Sequence, residues 1–142
     1  MTTIAYHHKS RTMAADSRQT MNGRVVTDNA KKIKAEKGVW FAFTGKACDE
    51  ELFIDYYFGR QETSLLPEAG ALVFDDGVAY SVTVNESGSL DKFKLTMDFA
   101  VGSGSDFALA AMDNGKGARD AVKYAATRCV YTGGKVRVIK QP

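Results

Sequence analysis

The pattern of apolar and polar residues divides the chain into a strand-rich part and a helical part. From Thr3 to about Val101, short apolar and β-branched runs are broken by Gly, Asn, Asp and Ser, which is typical of strands joined by turns. The last third is rich in alanine, and its apolar residues recur every three to four positions, which predicts helices. This order of elements predicts the α+β class.

The strand-rich part and the C-terminus contain six predicted strands. Two of them flank a polar turn at His7–Ser10 and are therefore expected to form a hairpin. The predicted strands are Thr3–Tyr6, Arg11–Ala15, Val39–Thr44, Ala71–Phe74, Val78–Val84 and Val136–Lys140. A core that is rich in β-sheet follows from them.

Three helices are predicted. The first begins in the acidic triplet Asp49–Glu51 and ends at Gly59, because acidic side chains favour the first turn of a helix and glycine favours its end. The second covers Asp106–Asp113, and the third runs from about Ala118 to Cys129. The third helix carries a stripe of small apolar residues, which predicts close packing on a sheet.

Composition and charge narrow the class of protein. The 142 residues are 44% hydrophobic and 25% charged, as in a globular chain, and no linker divides them, so a single domain spanning 1–142 is predicted. A formal net charge of +2 predicts no nucleic-acid partner. No apolar run approaches the ~20 residues of a membrane helix, and the N-terminal segment lacks signal-peptide features. A cytoplasmic protein with no membrane partner is expected.

The two cysteines, Cys48 and Cys129, lie far apart in the sequence. They form no Cys-x-x-Cys or Cys/His ligand spacing, so neither a zinc site nor a disulfide framework is predicted. This cysteine usage fits a reducing compartment. We expect no metal and no other cofactor.

Thr2 follows the initiator methionine and is a candidate nucleophile. Small residues at this position permit removal of Met1, so a threonine here is common and by itself unspecific. Once Met1 is removed, the Thr2 hydroxyl can attack a carbonyl while its own α-amine, whose pKa is typically about 7.7–8.0, accepts the proton. This chemistry requires a free N-terminus at Thr2.

Six segments of the chain together resemble a known family. They are MTTIAY at the N-terminus, AADSRQT at 14–20, NAKKI at 29–33, FTGKACD at 43–49, AVGSGSDFA at 100–108 and RCVYTGG at 128–134. In this order they resemble proteasome β subunits and the related bacterial ATP-dependent threonine peptidase. The resemblance implies a four-layer αββα sandwich of the N-terminal nucleophile hydrolase type. One helical layer is expected to be reduced, because no second helix is predicted between the 49–58 helix and Ala71.

The resemblance implies that Thr2 is the nucleophile, Lys32 its electrostatic partner and Asp16 the carboxylate that positions Lys32. A buried ammonium near the Thr2 amine would lower the pKa of that amine and favour the neutral base, and Asp16 would compensate for desolvation of the lysine. Lys31 is expected to point to the opposite face of the same strand. The alternative for Asp16 and Lys32 is a surface pair across a hairpin.

Three further catalytic residues are implied. Gly45 matches the glycine whose backbone N–H forms the oxyanion hole, where a side chain would obstruct the substrate. Ser103 matches the serine that hydrogen-bonds near the threonine amine. Thr132 stands where the family has a serine, and it keeps the hydroxyl.

Two residues depart from the pattern of the family. Cys129 stands where the family has an aspartate, and Lys46 stands where a second glycine is common. Loss of the carboxylate would reduce activity, shift its pH range or mark a chain that is retained for assembly. These alternatives stay open at the level of the sequence.

A substrate-binding set is also implied. Thr20 matches a residue that pairs its backbone with an extended peptide, and most of the others match positions that line the pocket for the side chain before the scissile bond. The set comprises Gln19, Thr20, Ala30, Lys34, Phe43 and Ala47.

The function that the resemblance implies is a threonine endopeptidase, which hydrolyses peptide bonds through an acyl-enzyme on Thr2. Its expected substrates are peptides or unfolded polypeptides. Its expected partners are further copies of the chain, with a ring among the arrangements, and an ATP-dependent unfoldase. Two alternatives remain: a catalytically weakened homologue that forms rings or modulates a partner, and an N-terminal nucleophile amidase that acts on small amides.

Overall fold

Eleven strands in residues 2–141, the part of the chain that the computed structural model describes, form two sheets and one separate hairpin. The strands are β1 (Thr3–His7), β2 (Thr12–Ala15), β3 (Gln19–Met21), β4 (Arg24–Thr27), β5 (Ile33–Glu36), β6 (Val39–Gly45), β7 (Ala69–Asp75), β8 (Val78–Val84), β9 (Leu90–Lys94), β10 (Phe99–Gly102) and β11 (Arg137–Lys140). The α-helices in the same range are α1 (Glu50–Tyr57), α2 (Ser105–Asp113) and α3 (Ala118–Arg128), and a 3₁₀ turn at Ala47–Asp49 leads into α1. This content confirms the α+β class. Met1, whose removal is predicted, lies outside the described residues.

The first sheet has the strand order β10-β1-β2-β11, and all of its pairs are antiparallel. The predicted hairpin at the N-terminus is confirmed, because β1 and β2 pair directly. Successive side chains of a strand point to opposite faces. Ile4 and Tyr6 therefore pack in the core shared with the second sheet, while Ala5 packs with α2 and α3.

The second sheet has the order β5-β6-β7-β8-β9, and each strand pairs with its neighbour in the chain. Alternation again separates the two faces of this sheet. Ala42 and Leu72 belong to the core cluster that contains residues of the first sheet. Phe41 and Phe43 belong to the cluster that contains residues of α1.

The helices pack against the sheets through small or aromatic side chains. α2 and α3 contact the first sheet through alanines, as predicted for the third helix, and the residues involved include Ala108, Ala118, Ala121 and Ala125. α1 packs Phe53 and Ile54 against the second sheet. Residues 58–68, between α1 and β7, contain no helix, in agreement with the sequence. Within residues 2–141, no helix is long and apolar enough to cross a membrane.

Five strands, β3, β4, β5, β9 and β10, are missed by the sequence pattern. β3 and β4 form an isolated hairpin whose apolar side chains, including Met21, Val25 and Val26, are exposed, so no buried face marks them. The expectation that Lys31 and Lys32 lie in a strand is wrong, because β5 begins one residue later, at Ile33. Their opposite orientation holds nevertheless, since Lys31 is exposed and Lys32 is buried.

Candidate active site

Asp16 is the centre of a buried polar cluster at the end of β2. Its side chain accepts hydrogen bonds from four donors: Oδ1 from Lys32 Nζ at 2.8 Å and the Thr3 amide at 3.1 Å, Oδ2 from the Gly133 amide at 3.1 Å and the Arg18 amide at 3.3 Å. The residue is only 1% exposed. Four donors and no acceptor fit an ionised carboxylate, which can only accept.

Lys32 is held from both its side chain and its backbone. Besides the bond to Asp16, its ammonium donates to the Arg18 carbonyl at 2.6 Å, and its own carbonyl accepts from the Phe43 amide of β6 at 2.9 Å. The residue is 7% exposed. Burial lowers the pKa of Lys32, and the hydrogen bond and charge of Asp16, with the charge of Glu50, oppose part of that shift. The predicted Asp16–Lys32 pair is therefore a buried ion pair and not a surface one.

Thr2 lies beside this ion pair and is itself 5% exposed. Its carbonyl accepts a hydrogen bond from the Ser103 amide at 2.8 Å, and the Ser103 hydroxyl lies 3.4 Å from the same oxygen. Gly102 has φ +99°, and a Cβ at this position would lie 1.7 Å from the Thr2 carbonyl oxygen. A glycine is therefore required there by the close approach of Thr2.

Thr132 is connected to Thr3 and not to Thr2. Their hydroxyl oxygens lie 2.7 Å apart, and Thr3 Oγ1 also accepts from the Gly104 amide at 3.0 Å. Both threonines are fully buried. The predicted catalytic residue Thr132 thus holds the residue next to the candidate nucleophile.

Cys129 lies one residue beyond α3, so its predicted place inside that helix is wrong by one position. Its Sγ is 3.5 Å from the Ser103 hydroxyl oxygen. Burial raises the pKa of the Cys129 thiol, but hydrogen bonds from Thr132, from Ser103 and from the backbone at Tyr131 outweigh burial, and the net pKa is lowered. A thiol thus contacts the same serine that binds the Thr2 carbonyl.

Gly45 ends β6, opposite Ala69 of β7, and its backbone is exposed. Its φ is +89°, and a Cβ would lie 2.4 Å from the Glu68 carbonyl oxygen and 2.9 Å from Ala69 Cα. The steric reason for glycine is therefore the neighbouring strand, whereas the sequence reading attributed it to substrate. Lys46, the departure beside it, is exposed and ion-paired with Glu68.

The six predicted substrate-binding residues are distributed over the hairpin, the adjoining loop, β5, β6 and the turn before α1. Gln19 and Thr20 are half-buried in β3, which pairs only with β4 and so has one open edge. Ala30 is half-buried and Ala47 is exposed. Phe43 differs from these, because its ring is buried between Phe41 and Phe53 in the core.

Lys34, the remaining member of that set, carries an ion pair that sequence reading missed. Its ammonium lies 3.0 Å from Glu50 and 3.4 Å from Glu51. Burial raises the pKa of Glu50, and Lys34 opposes that shift. The acidic start of α1, which predicted the helix, therefore also neutralises Lys34.

Two backbone groups that complete the Asp16 cluster were also missed, the Gly133 amide and the Arg18 carbonyl. The Arg18 guanidinium holds its loop in place by a bidentate bond to Asp28 at 2.8 and 3.0 Å and a bond to the Val130 carbonyl at 3.0 Å. The closeness of Arg18 to Asp16 in the sequence, two positions apart, was the one available signal. No group of three or more His, Cys, Asp or Glu side chains within residues 2–141 could hold a metal ion.

Three solved structures share the architecture of the whole chain. The structure of Thiobacillus denitrificans BPH in complex with epoxomicin has a TM-score of 0.73 and 19% identity, and the alignment covers 99% of both chains. A second structure of BPH from the same organism has a TM-score of 0.75 and 20% identity over 100% of this chain and 99% of that one. Eukaryotic HslV from Trypanosoma brucei has a TM-score of 0.72 and 20% identity over 98% and 99%.

Comparisons at the level of sequence add nothing to these, because no protein-family model and no curated protein matches the chain. Structural likeness at 19–20% identity establishes the fold and not the activity. The chain therefore has the fold of BPH and HslV, which is the proteasome β-type, N-terminal nucleophile fold.

Proposed function

We propose that the chain is a threonine peptidase in which Thr2 becomes the nucleophile when Met1 is removed. The observation that carries this proposal is the position of the Asp16 carboxylate, which joins the Lys32 ammonium to the amide of Thr3. A buried cation is thereby linked, through one carboxylate, to the residue that follows the candidate nucleophile. Well-packed apolar residues often stabilise a protein as well as a buried ion pair does, so a buried pair bonded to the amide next to Thr2 favours a chemical role.

The proposed reaction uses groups of Thr2 for both attack and proton transfer. The Thr2 hydroxyl adds to the carbonyl carbon of the scissile bond, and its proton passes to the free α-amine. Collapse of the tetrahedral adduct breaks the C–N bond, and the amine returns the proton to the leaving group. Water then hydrolyses the resulting ester by the same route. Lys32 would stabilise the deprotonating hydroxyl and keep the amine neutral.

Other residues of the cluster would position the reacting groups. Ser103 fixes the Thr2 carbonyl through its amide, and the exposed backbone at Gly45 is the proposed oxyanion donor. The open edge of β3 is the proposed place for pairing of Thr20 with an extended substrate.

We further propose that α2 and α3, the two sheets and α1 make a single domain with the four-layer αββα arrangement, in which the α1 layer is reduced.

A non-catalytic homologue is the second candidate, and the observation that favours it is Cys129. A thiol at 3.5 Å from Ser103 is a weaker hydrogen-bonding partner than the carboxylate that the resemblance implies there. In that case the chain would assemble with copies of itself or modulate a partner. Assembly into a homo-oligomer and cooperation with an ATP-dependent unfoldase are proposals under either candidate, and light scattering of the purified chain tests the first of them.

The deciding experiment is covalent labelling of the mature N-terminus. The BPH structure was determined in complex with epoxomicin, so an epoxyketone is the appropriate probe. We expect the intact mass to lack Met1 and to increase by one inhibitor, with the adduct on Thr2 in the N-terminal peptide. Thr2→Ser should keep labelling because it keeps the hydroxyl, and Thr2→Ala should abolish it.

Turnover of fluorogenic peptides should likewise be kept by Thr2→Ser and abolished by Thr2→Ala. Full turnover by Thr2→Ala, or an active preparation that retains Met1, would show the mechanism to be wrong. A mature Thr2 that forms no adduct would favour the non-catalytic homologue. Hydrolysis of small amides without hydrolysis of peptides would identify the amidase alternative.

A further inference from the structure

A cleft of about 340 Å³ lies where one edge of each sheet meets the other, and its lining includes neither Asp16 nor Lys32. β11 is the edge strand of the first sheet and β5 is the edge strand of the second. Each of these strands has one side without a strand partner. Edge strands expose unpaired backbone donors and acceptors, which another extended segment can use.

The floor of the cleft is apolar because the core between the sheets reaches the surface there. Ile33 and Ile139 line the cleft and belong to the core cluster that the two sheets share. Trp40 and Val138 line it as well, and they remain 39% and 36% exposed. A large aromatic side chain that is left half open next to core residues is typical of a contact surface.

The rim of the cleft is basic and carries no acidic residue. Lys31, Arg137 and Lys140 line it, and within residues 2–141 none of them forms an ion pair. Among the residues that the structure describes, the Arg137 guanidinium donates only to neutral oxygens, those of Ser17, Ala30 and Asn29 at 2.6–3.0 Å. By contrast, the lysine next in the sequence to Lys31 has a carboxylate partner.

We propose that this cleft binds an extended acidic segment of a partner protein. Carboxylates of the segment would pair with the three cations of the rim, an apolar side chain would cover Trp40, and the backbone would pair with an edge strand. Charge argues against a second copy of this chain bound in a two-fold symmetric contact, and the test below detects a copy bound head-to-tail, as in a ring. In a two-fold symmetric contact the same patch faces itself, and the cations of both copies would then oppose each other. This proposal stands independently of the peptidase activity.

Trp40 makes the proposal directly measurable, because it is the single tryptophan of the chain. The probe is the tryptophan-free peptide acetyl-Glu-Leu-Glu-Ile-Glu-Leu-Glu-amide. We expect its titration into the full chain to shift the emission of Trp40 to shorter wavelength and to saturate. The affinity should fall as salt is added, because exposed charge pairs are screened. A peptide with Lys in place of Glu, and one with Ser in place of Leu and Ile, should both fail to bind.

A matched pair of charge-reversal variants locates the binding. Lys31→Glu combined with Lys140→Glu should weaken the probe about tenfold or more, which corresponds to about 1.4 kcal/mol. Lys116→Glu combined with Lys123→Glu changes the net charge equally but lies outside the cleft, so it should leave the affinity within about twofold. Circular dichroism of both variants confirms that each is folded.

Three results would overturn the proposal. One is the absence of any change in Trp40 emission up to about 1 mM peptide, the weak end of specific binding. Another is equal binding by the Lys-containing peptide or by the cleft variant. The third is a Trp40 emission that shifts with protein concentration alone, together with an oligomer that the cleft variant abolishes, because another copy of the chain would then occupy the cleft.

Discussion

The Asp16 carboxylate lies 2.8 Å from the Lys32 ammonium, and both side chains are almost fully buried. A hydrophobic pair of similar size would stabilise a protein as well as, or better than, a buried ion pair does. Stability alone therefore does not account for these two residues. Their position beside Thr2 makes separate tests of the structural and the chemical contribution informative.

Asp16→Asn should destabilise the protein by about 3–5 kcal/mol, because the Lys32 ammonium then stays buried without its counter-charge. Adding Lys32→Met should restore much of that stability and leave epoxyketone labelling of Thr2 absent. Urea unfolding followed by fluorescence measures the first effect, and intact-mass spectrometry measures the second. Glu68→Gln, which breaks the exposed pair with Lys46, serves as the control and should change neither quantity appreciably. Labelling at the normal rate in the double variant would contradict the proposed role of the pair.

The rate of Thr2 labelling should depend on pH through the protonation of Lys32. Burial lowers the pKa of Lys32 below the ordinary value of 10.5, so the ammonium is lost on the alkaline side before a free lysine would lose its proton. The labelling rate should therefore decline as the pH rises through the pKa of Lys32 in the folded chain. The free energy of unfolding should instead increase with pH over the same range. Between the pKa values of Lys32 in the folded and unfolded states the unfolded chain binds more protons, so a rise in pH favours the folded state.

Lys32→Arg separates these effects. An arginine keeps its charge throughout the accessible pH range, so any labelling that survives the substitution should lose its alkaline decline. Lys123→Arg on α3 is exposed and should keep the decline of the unmodified chain. An alkaline decline that is identical in all three proteins would assign the titration to another group.

Cys129 should act as a positioning residue through Ser103. Cys129→Ala removes the partner 3.5 Å from the Ser103 hydroxyl and should slow labelling of Thr2 about 2- to 13-fold, the range expected for loss of one modest hydrogen bond of about 0.5–1.5 kcal/mol. Cys129→Ser keeps a polar atom at that place and should recover most of the rate. Cys48→Ala, at the exposed cysteine, should have no effect. An unchanged rate and pH profile in Cys129→Ala would leave the thiol a packing role only.

The sequence predicts best those features that depend on the chemistry of side chains. β8 has the predicted bounds, Val78–Val84, because its β-branched residues lie between clear turn signals. The Asp16–Lys32 pair was implied by the resemblance of the AADSRQT and NAKKI segments to the family, and the structure contains it. The donor at Gly133 and the acceptor at Arg18 are backbone groups, and their position depends on long-range folding that no local pattern records.

The strand β10 and the side chain of Phe43 also show that pairing between distant segments decides what local motifs do not. Residues 99–102 form β10, although the last of them, Gly102, begins a Gly-Ser motif, because pairing with β1 fixes the segment. Phe43 was placed near substrate from its motif, yet its ring packs in the core with Phe41 and Phe53. A motif therefore located the strand, whereas the direction of one side chain depended on the register of the sheet.

Gly102 provides the sharpest steric test of the site, because Gly115 is a matched control. Both glycines have positive φ, +99° and +93°, but a Cβ at Gly102 would lie 1.7 Å from the Thr2 carbonyl oxygen whereas a Cβ at Gly115 meets nothing within 4 Å. Gly115→Ala should cost only the backbone strain of a non-glycine residue at positive φ, on the order of 1 kcal/mol. Gly102→Ala should cost clearly more, because Thr2 or Ser103 must also move.

The movement of Thr2 should appear in the chemistry as well as in the stability. At a temperature where Gly102→Ala remains folded, we expect it to lose labelling of Thr2, while Gly115→Ala labels at the normal rate. Thermal unfolding and intact-mass spectrometry on the same samples provide both readouts. If Gly102→Ala were no less stable than Gly115→Ala and labelled normally, the tight packing of residue 102 against Thr2 would not be what holds the candidate nucleophile in place.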